Sequence, residues 1–185
     1  MNELTGSPWT LPLLAVVVLL ALWFIWRRFF GGGSELDRAL ADISFERIEG
    51  LVVPNADEGE IQVDQLLLTS QGLLIIEVKD VQGTVFGSDK MSDWTVIGED
   101  RRYTFSNPQP ALYDRIAAVK QIVRQVPVEG RVVFLEGAEF TKGIPSLVCD
   151  IDGLLAEFGE PDKNAARFKV EAFKPHWDLI QKMAG

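Results

Sequence analysis

The chain has 185 residues, 47% of them apolar, which allows one domain of ordinary size with its own core and a short appendage. A formal charge of −9 excludes a generally basic nucleic-acid binder, although a local basic groove stays open. Cys149 is the single cysteine, so an internal disulfide is excluded and a reducing compartment is compatible.

Residues 5–26 carry no charge. About twenty apolar residues cross a hydrocarbon core, and the pattern predicts a transmembrane helix at 9–30. Trp9 lies at one end and Trp23 and Trp26 at the other, as interfacial aromatics do. Pro12 falls near the first turn, where proline is tolerated. A cleaved signal peptide fits poorly: Glu3 stands where basic residues belong, the apolar run is too long, and no A-x-A site follows. Arg27 and Arg28 place the C-terminal side in the cytoplasm. The expectation is a single-pass protein of a bacterial-type inner (cytoplasmic) membrane, with 1–8 outside, a glycine linker at 31–33 and a cytoplasmic domain at 34–185.

Ser34 can cap a helix whose apolar face is Leu36, Ala39, Leu40 and Ile43. Glu35, in its first turn, suits the positive end of the helix dipole. Phe45–Val53 reads as a strand, followed by a polar acidic loop over Pro54–Glu60. Glu58 and Glu60 read as solvated, with Glu60 a minor candidate for the site that follows.

Two apolar runs, Val63–Leu68 and Leu73–Val78, flank Thr69-Ser70-Gln71-Gly72 and predict a buried β-hairpin. With Ser70 and Gln71 at the turn, Asp64 falls opposite Glu77. Facing side chains stand about 4.5–5.5 Å apart at Cβ. Glu77 and Lys79 are two apart and share a face. Two carboxylates and an ammonium thus gather on one side of the hairpin. Charges in apolar strands are costly unless paired or metal-bound. A divalent cation between the acids removes their repulsion, and hard oxygen ligands suit Mg²⁺ or Mn²⁺. A structural ion-pair cluster is the plainer alternative.

Asp80–Gly83 turns the chain, and Thr84–Phe86, Trp94–Ile97 and Arg102–Phe105 read as short strands. Trp94 reads as core, and Arg101 and Arg102 as a solvated pair. Asn107-Pro108 opens a helix to about Val126 with Ile116, Val119, Ile122 and Val123 as its stripe. Arg131–Leu135 and Leu147–Cys149 are further strands. Strand, helix and strand make a crossover, so the fold class is α/β, a mixed β-sheet flanked by helices and preceded by one transmembrane helix. A short helix over Asp152–Phe158 capped by Asp152, and a terminal helix from Pro175 to Met183, complete the chain. His176, the single histidine, reads as surface.

An Asp followed about a dozen residues later by Glu-x-Lys resembles the motif of the PD-(D/E)XK nuclease superfamily. More narrowly, Gln62-Val63-Asp64, Gly72, Glu77-Val78-Lys79, Gly83 and Trp94 resemble the NERD (nuclease-related) domain. The resemblance runs from about Gly33 to Phe158. It implies a restriction-endonuclease-like core and a magnesium-dependent nuclease, a hydrolase that processes nucleic acid, DNA foremost. Asp64, Glu77 and the Val78 carbonyl would bind Mg²⁺ or Mn²⁺, and Lys79 would orient or help deprotonate the attacking water. The family also places a Glu near the metal at the start of the first helix, here Glu35, and a Gln from Asn-Pro-x-x-Gln. Ala111 stands at that Gln position and Gln109 comes two residues early. A catalytically inactive, membrane-tethered nucleic-acid-binding or interaction module is therefore the alternative.

Overall fold

The computed structural model describes residues 35–54, 59–160 and 162–184. The expected membrane helix, the glycine linker, the Ser34 cap and Glu58 lie outside the described residues. Among the described residues no helix is long and apolar enough to cross a membrane. The chain divides into two compact units, 1–37 and 38–185. Helix α1 (35–43) begins in the first, and the architecture that follows belongs to the second.

The described strands form two mixed sheets where the sequence predicts one. The larger takes β1 (Glu46–Pro54), β2 (Glu60–Thr69), β3 (Gly72–Lys79), β7 (Val128–Phe134) and β9 (Val148–Cys149), in the order β1-β2-β3-β7-β9. β1, β2 and β3 are antiparallel neighbours, while β3–β7 and β7–β9 are parallel. β3 lies in the middle and is buried from Gly72 to Glu77, as its near-continuous apolar sequence requires. The smaller sheet holds β4 (Gly83–Phe86), β5 (Asp93–Ile97), β6 (Arg102–Ser106) and β8 (Ala138–Phe140), in the order β6-β5-β4-β8. Trp94 is fully buried and joins the two sheets: it packs on Phe134 of β7 and on Phe105 and Phe140 of the smaller sheet.

The β2–β3 turn is held by Thr69, whose Oγ1 donates to the Gly72 carbonyl (3.0 Å) and accepts from the Gln71 N–H (3.1 Å). Gly72 has φ +132°, and a Cβ there would stand 2.4 Å from the Pro127 oxygen, so only glycine fits. Helix α2 (Pro108–Ile122) is capped by Asn107, whose side chain accepts from the Gln109 N–H, with Pro108 at the first position. Leu112 and Ile116 press against β7 at Gly130. β7 pairs in parallel with β3 on one side and β9 on the other, and it reaches β3 because β4–β6 turn aside into the second sheet before the chain returns through α2.

Two helices differ from expectation. Helix α3 (Ile151–Phe158) is capped by Asp150, which accepts from the Gly153 N–H at 2.7 Å, and Asp152 sits in its first turn. Helix α4 (Lys163–Ala184) starts twelve residues before Pro175, which lies inside it. Asp162 accepts from the N–H groups of Asn164 and Ala165 and sets that start. Burial outweighs the proline: Trp177 and Ile180 are fully buried, and the Trp177 indole donates to Glu46 of β1 at 2.7 Å, where Lys174 also pairs.

Candidate active site

The hairpin register is the predicted one from Thr69↔Gly72 to Gln65↔Ile76, and there it stops. β2 goes on pairing with β1 as far as Glu60↔Pro54. β3 goes on pairing with β7 as far as Lys79↔Phe134. The sheet therefore forks, and Asp64 and Glu77 are the first residues past the last shared rung. The direct Asp64–Glu77 rung expected from the sequence is not formed. Gly50, opposite Asp64 in the β1 register, has φ +66° and is likewise skipped by the β1–β2 pairing. The burial pattern of β1 changes phase at that glycine: Glu46 and Ile48 are half-buried before it, Leu51 and Val53 buried after it. A left-handed residue at this point kinks the strand.

Glu77, 9% exposed, holds two cations. Lys79 Nζ lies 2.8 Å from Oε1, as the shared face predicts. Arg115 Nη1, from the middle of α2, lies 3.1 Å from Oε2. The Arg115 Nε also donates to the Gln62 carbonyl of β2 at 2.8 Å. One guanidinium thus bridges both arms of the fork. Asp64 is exposed and its carboxylate, among the described residues, makes no hydrogen bond or ion pair. The Lys79 carbonyl accepts from the Leu135 N–H on the β7 side. Successive strand carbonyls point to opposite edges, so the Val78 carbonyl faces the edge that β2 has left.

These donors suit a hard divalent cation. Asp64 offers a free carboxylate, each Glu77 oxygen retains lone-pair capacity, and the Val78 carbonyl opens into the fork. Among the described residues no three of His, Cys, Asp and Glu gather into a metal-binding group. A cation here would take two carboxylates, one backbone carbonyl and water, and would share Glu77 with Lys79 and Arg115.

Gln109 lies elsewhere. It is buried, its Nε2 donates to Asp89 at 3.1 Å, and its Oε1 accepts from Ser146 Oγ and the Leu147 N–H. Asp89 also accepts from the Ser146 N–H at 2.9 Å. That backbone bond first, and the Gln109 amide next, hold the Asp89 carboxyl below its ordinary range. Gln109 is thus a junction between α2, the turn before β5 and the segment entering β9. Ala111 is exposed. Glu35 opens α1 and is exposed, and Glu60 is exposed at the start of β2. Burial pushes the Cys149 thiol up to about 12, which leaves it inert at neutral pH.

A parallel and antiparallel sheet that forks at an acidic residue, with Glu and Lys two apart on the central strand, is consistent with a nuclease-like core. The model of the nuclease-related domain, NERD, matches residues 33–135, and the chain belongs to that family. It is also 28% identical over 64 residues to an uncharacterized protein of Bacillus anthracis, a stretch that is 35% of this chain and 30% of that protein. The chain thus aligns with less than a third of that relative's length. No solved structure matches the chain.

Proposed function

We propose that the fork between β2 and β3 is the active site of a nuclease that hydrolyses phosphodiester bonds in nucleic acid, DNA foremost, as PD-(D/E)XK enzymes do. The observation that carries this reading is Glu77 held between Lys79 and Arg115 where the sheet opens. Asp64, Glu77 and the Val78 carbonyl would hold Mg²⁺ or Mn²⁺. When bound, the cation supplies a water of lowered pKa and charge stabilisation at the phosphoryl oxygens. Lys79, about a third exposed, offers its ammonium to the attacking water and to the phosphate. The 9–30 segment would tether the domain to the cytoplasmic face of an inner membrane.

The test is magnesium-dependent cleavage of supercoiled plasmid by the full chain. Lys79→Ala is expected to slow cleavage by about 10²–10³, the range for removing one preorganised donor from the developing charge. Asp64→Ala is expected to abolish it. Unchanged cleavage in either variant refutes the role assigned to that residue.

A second reading has one observation in its favour: Gln109 is committed to Asp89, Ser146 and Leu147 while Ala111 occupies the family's Gln position. On that reading the domain is a catalytically inactive, tethered nucleic-acid-binding or interaction module. Nucleic-acid binding without cleavage at any divalent metal concentration would select it.

A further inference from the structure

Glu77 has more positive charge beside it than one carboxylate needs. Lys79 compensates one oxygen and Arg115 the other. Arg115 gains a second anchor at the Gln62 carbonyl, so its guanidinium spans the space between the separated strands. Nothing else in the described fork requires an arginine there, since Asp64 stays unpaired. A divalent cation that uses Glu77 must approach the same oxygens and would be repelled by the guanidinium that lies 3.1 Å from Oε2.

We propose that Arg115 is a positioning residue that competes with the divalent cation for Glu77 and passes to the phosphodiester once the cation is bound. This rests on the metal-dependent reading of the site. Before the cation binds, Arg115 holds Glu77 in place and neutralises it. After the cation binds, the carboxylate is compensated twice over and the guanidinium is freed. Its side chain is 22% exposed, long enough to swing without moving α2, and its Nη2 makes no hydrogen bond among the described residues. A planar fork of N–H donors matches two phosphate oxygens at once, which an ammonium does not. Arg115 therefore couples metal and substrate: each favours the state in which the guanidinium has left Glu77.

The test titrates Mn²⁺ alone into the full chain by calorimetry, for the wild type, Arg115→Ala and Arg115→Lys. Circular dichroism checks that each variant is folded. Arg115→Ala is expected to bind Mn²⁺ about tenfold more tightly than the wild type, within the roughly 5–150-fold span of coupled sites. Arg115→Lys, which cannot bridge Glu77 and the Gln62 carbonyl together, is expected to lie between, and it carries the test if the alanine variant does not fold. A fluorescent duplex oligonucleotide, followed by anisotropy in Ca²⁺, is expected to bind Arg115→Ala about tenfold more weakly. Removing a merely structural arginine would not make metal binding tighter. Equal or weaker Mn²⁺ affinity in the variants, beside a wild type that binds, overturns the competition and leaves the metal-dependent reading standing. Unchanged duplex affinity overturns the transfer to phosphate. No Mn²⁺ binding by the wild type or either variant overturns both the competition and the metal-dependent reading. Binding by the variants alone supports the competition in its strongest form.

Discussion

A carboxylate whose side chain is 12% exposed needs compensation for the water it has lost. Glu77 takes it from Lys79 on its own strand and from Arg115 on α2. Removing the charge leaves two partly exposed cations facing each other. Glu77→Gln is expected to destabilise by about 1–3 kcal/mol, less than the ~3–5 kcal/mol of a fully buried pair, because both cations retain access to water. Adding Lys79→Met should recover part of that loss, since one cation then remains, and urea denaturation of the single and double variants reads the coupling. The Lys79 contact was legible in the sequence, because residues two apart on a strand share a face. Arg115 was not, because its carboxylate lies 38 residues away and no local pattern reports that pairing. One signal could have found it. Arg115 precedes Ile116 and follows Leu112 by three, so it flanks the buried stripe of α2 and borders whatever that stripe covers.

At the scale of elements, the site depends on how closely α2 lies on β7. A Cβ at Gly130 would stand 2.8 Å from Leu112 and 2.9 Å from Ile116. Gly130→Ala is therefore expected to cost about 1–3 kcal/mol by overpacking, and to weaken cleavage because α2 carries Arg115. Gly59→Ala, with nothing within 4 Å, is the control and should stay within about 0.5 kcal/mol in urea denaturation. The N-terminal end of α2 is pinned by Gln109 and Asp89. The Asp89 carboxyl sits below its ordinary value of 3.8, so the folded state binds its proton less readily than the unfolded state. The stability it contributes is complete above that value and is lost as pH falls through the depressed one. The thermal midpoints of wild type and Asp89→Asn should differ above 3.8 and converge at more acid pH. The hairpin and α2 were legible as elements because their periods and caps are local. The second sheet was not: β8 is three residues long and pairs in parallel with β4, fifty-five positions earlier at Gly83↔Ala138. The start of α4 was hidden as well, because Pro175 reads as a helix beginning, whereas the burial of Trp177 and Ile180 stabilises the helix through it.

At the scale of the whole molecule, a chain of net charge −9 that takes nucleic acid, as proposed, needs a local excess of positive charge to do so. In the fork Lys79 and Arg115 are matched by Glu77 and Asp64, so the excess would come from the divalent cation of the proposed site, with the two side chains as phosphate contacts. Affinity for nucleic acid then depends on salt in a way that counts the phosphates neutralised, since each one releases condensed counterions. Two contacts give a slope of log affinity against log salt of about −1.8 for duplex DNA and about −1.4 for a single strand. A titration from low to physiological salt, with metal held constant, measures it. A value near these figures means that the fork alone carries the electrostatic term. Arg115→Ala should then reduce the duplex slope by about 0.9, and Lys79→Ala by a similar amount. A slope of about −5 or steeper would require several more basic contacts, and would move the principal nucleic-acid interface away from the fork.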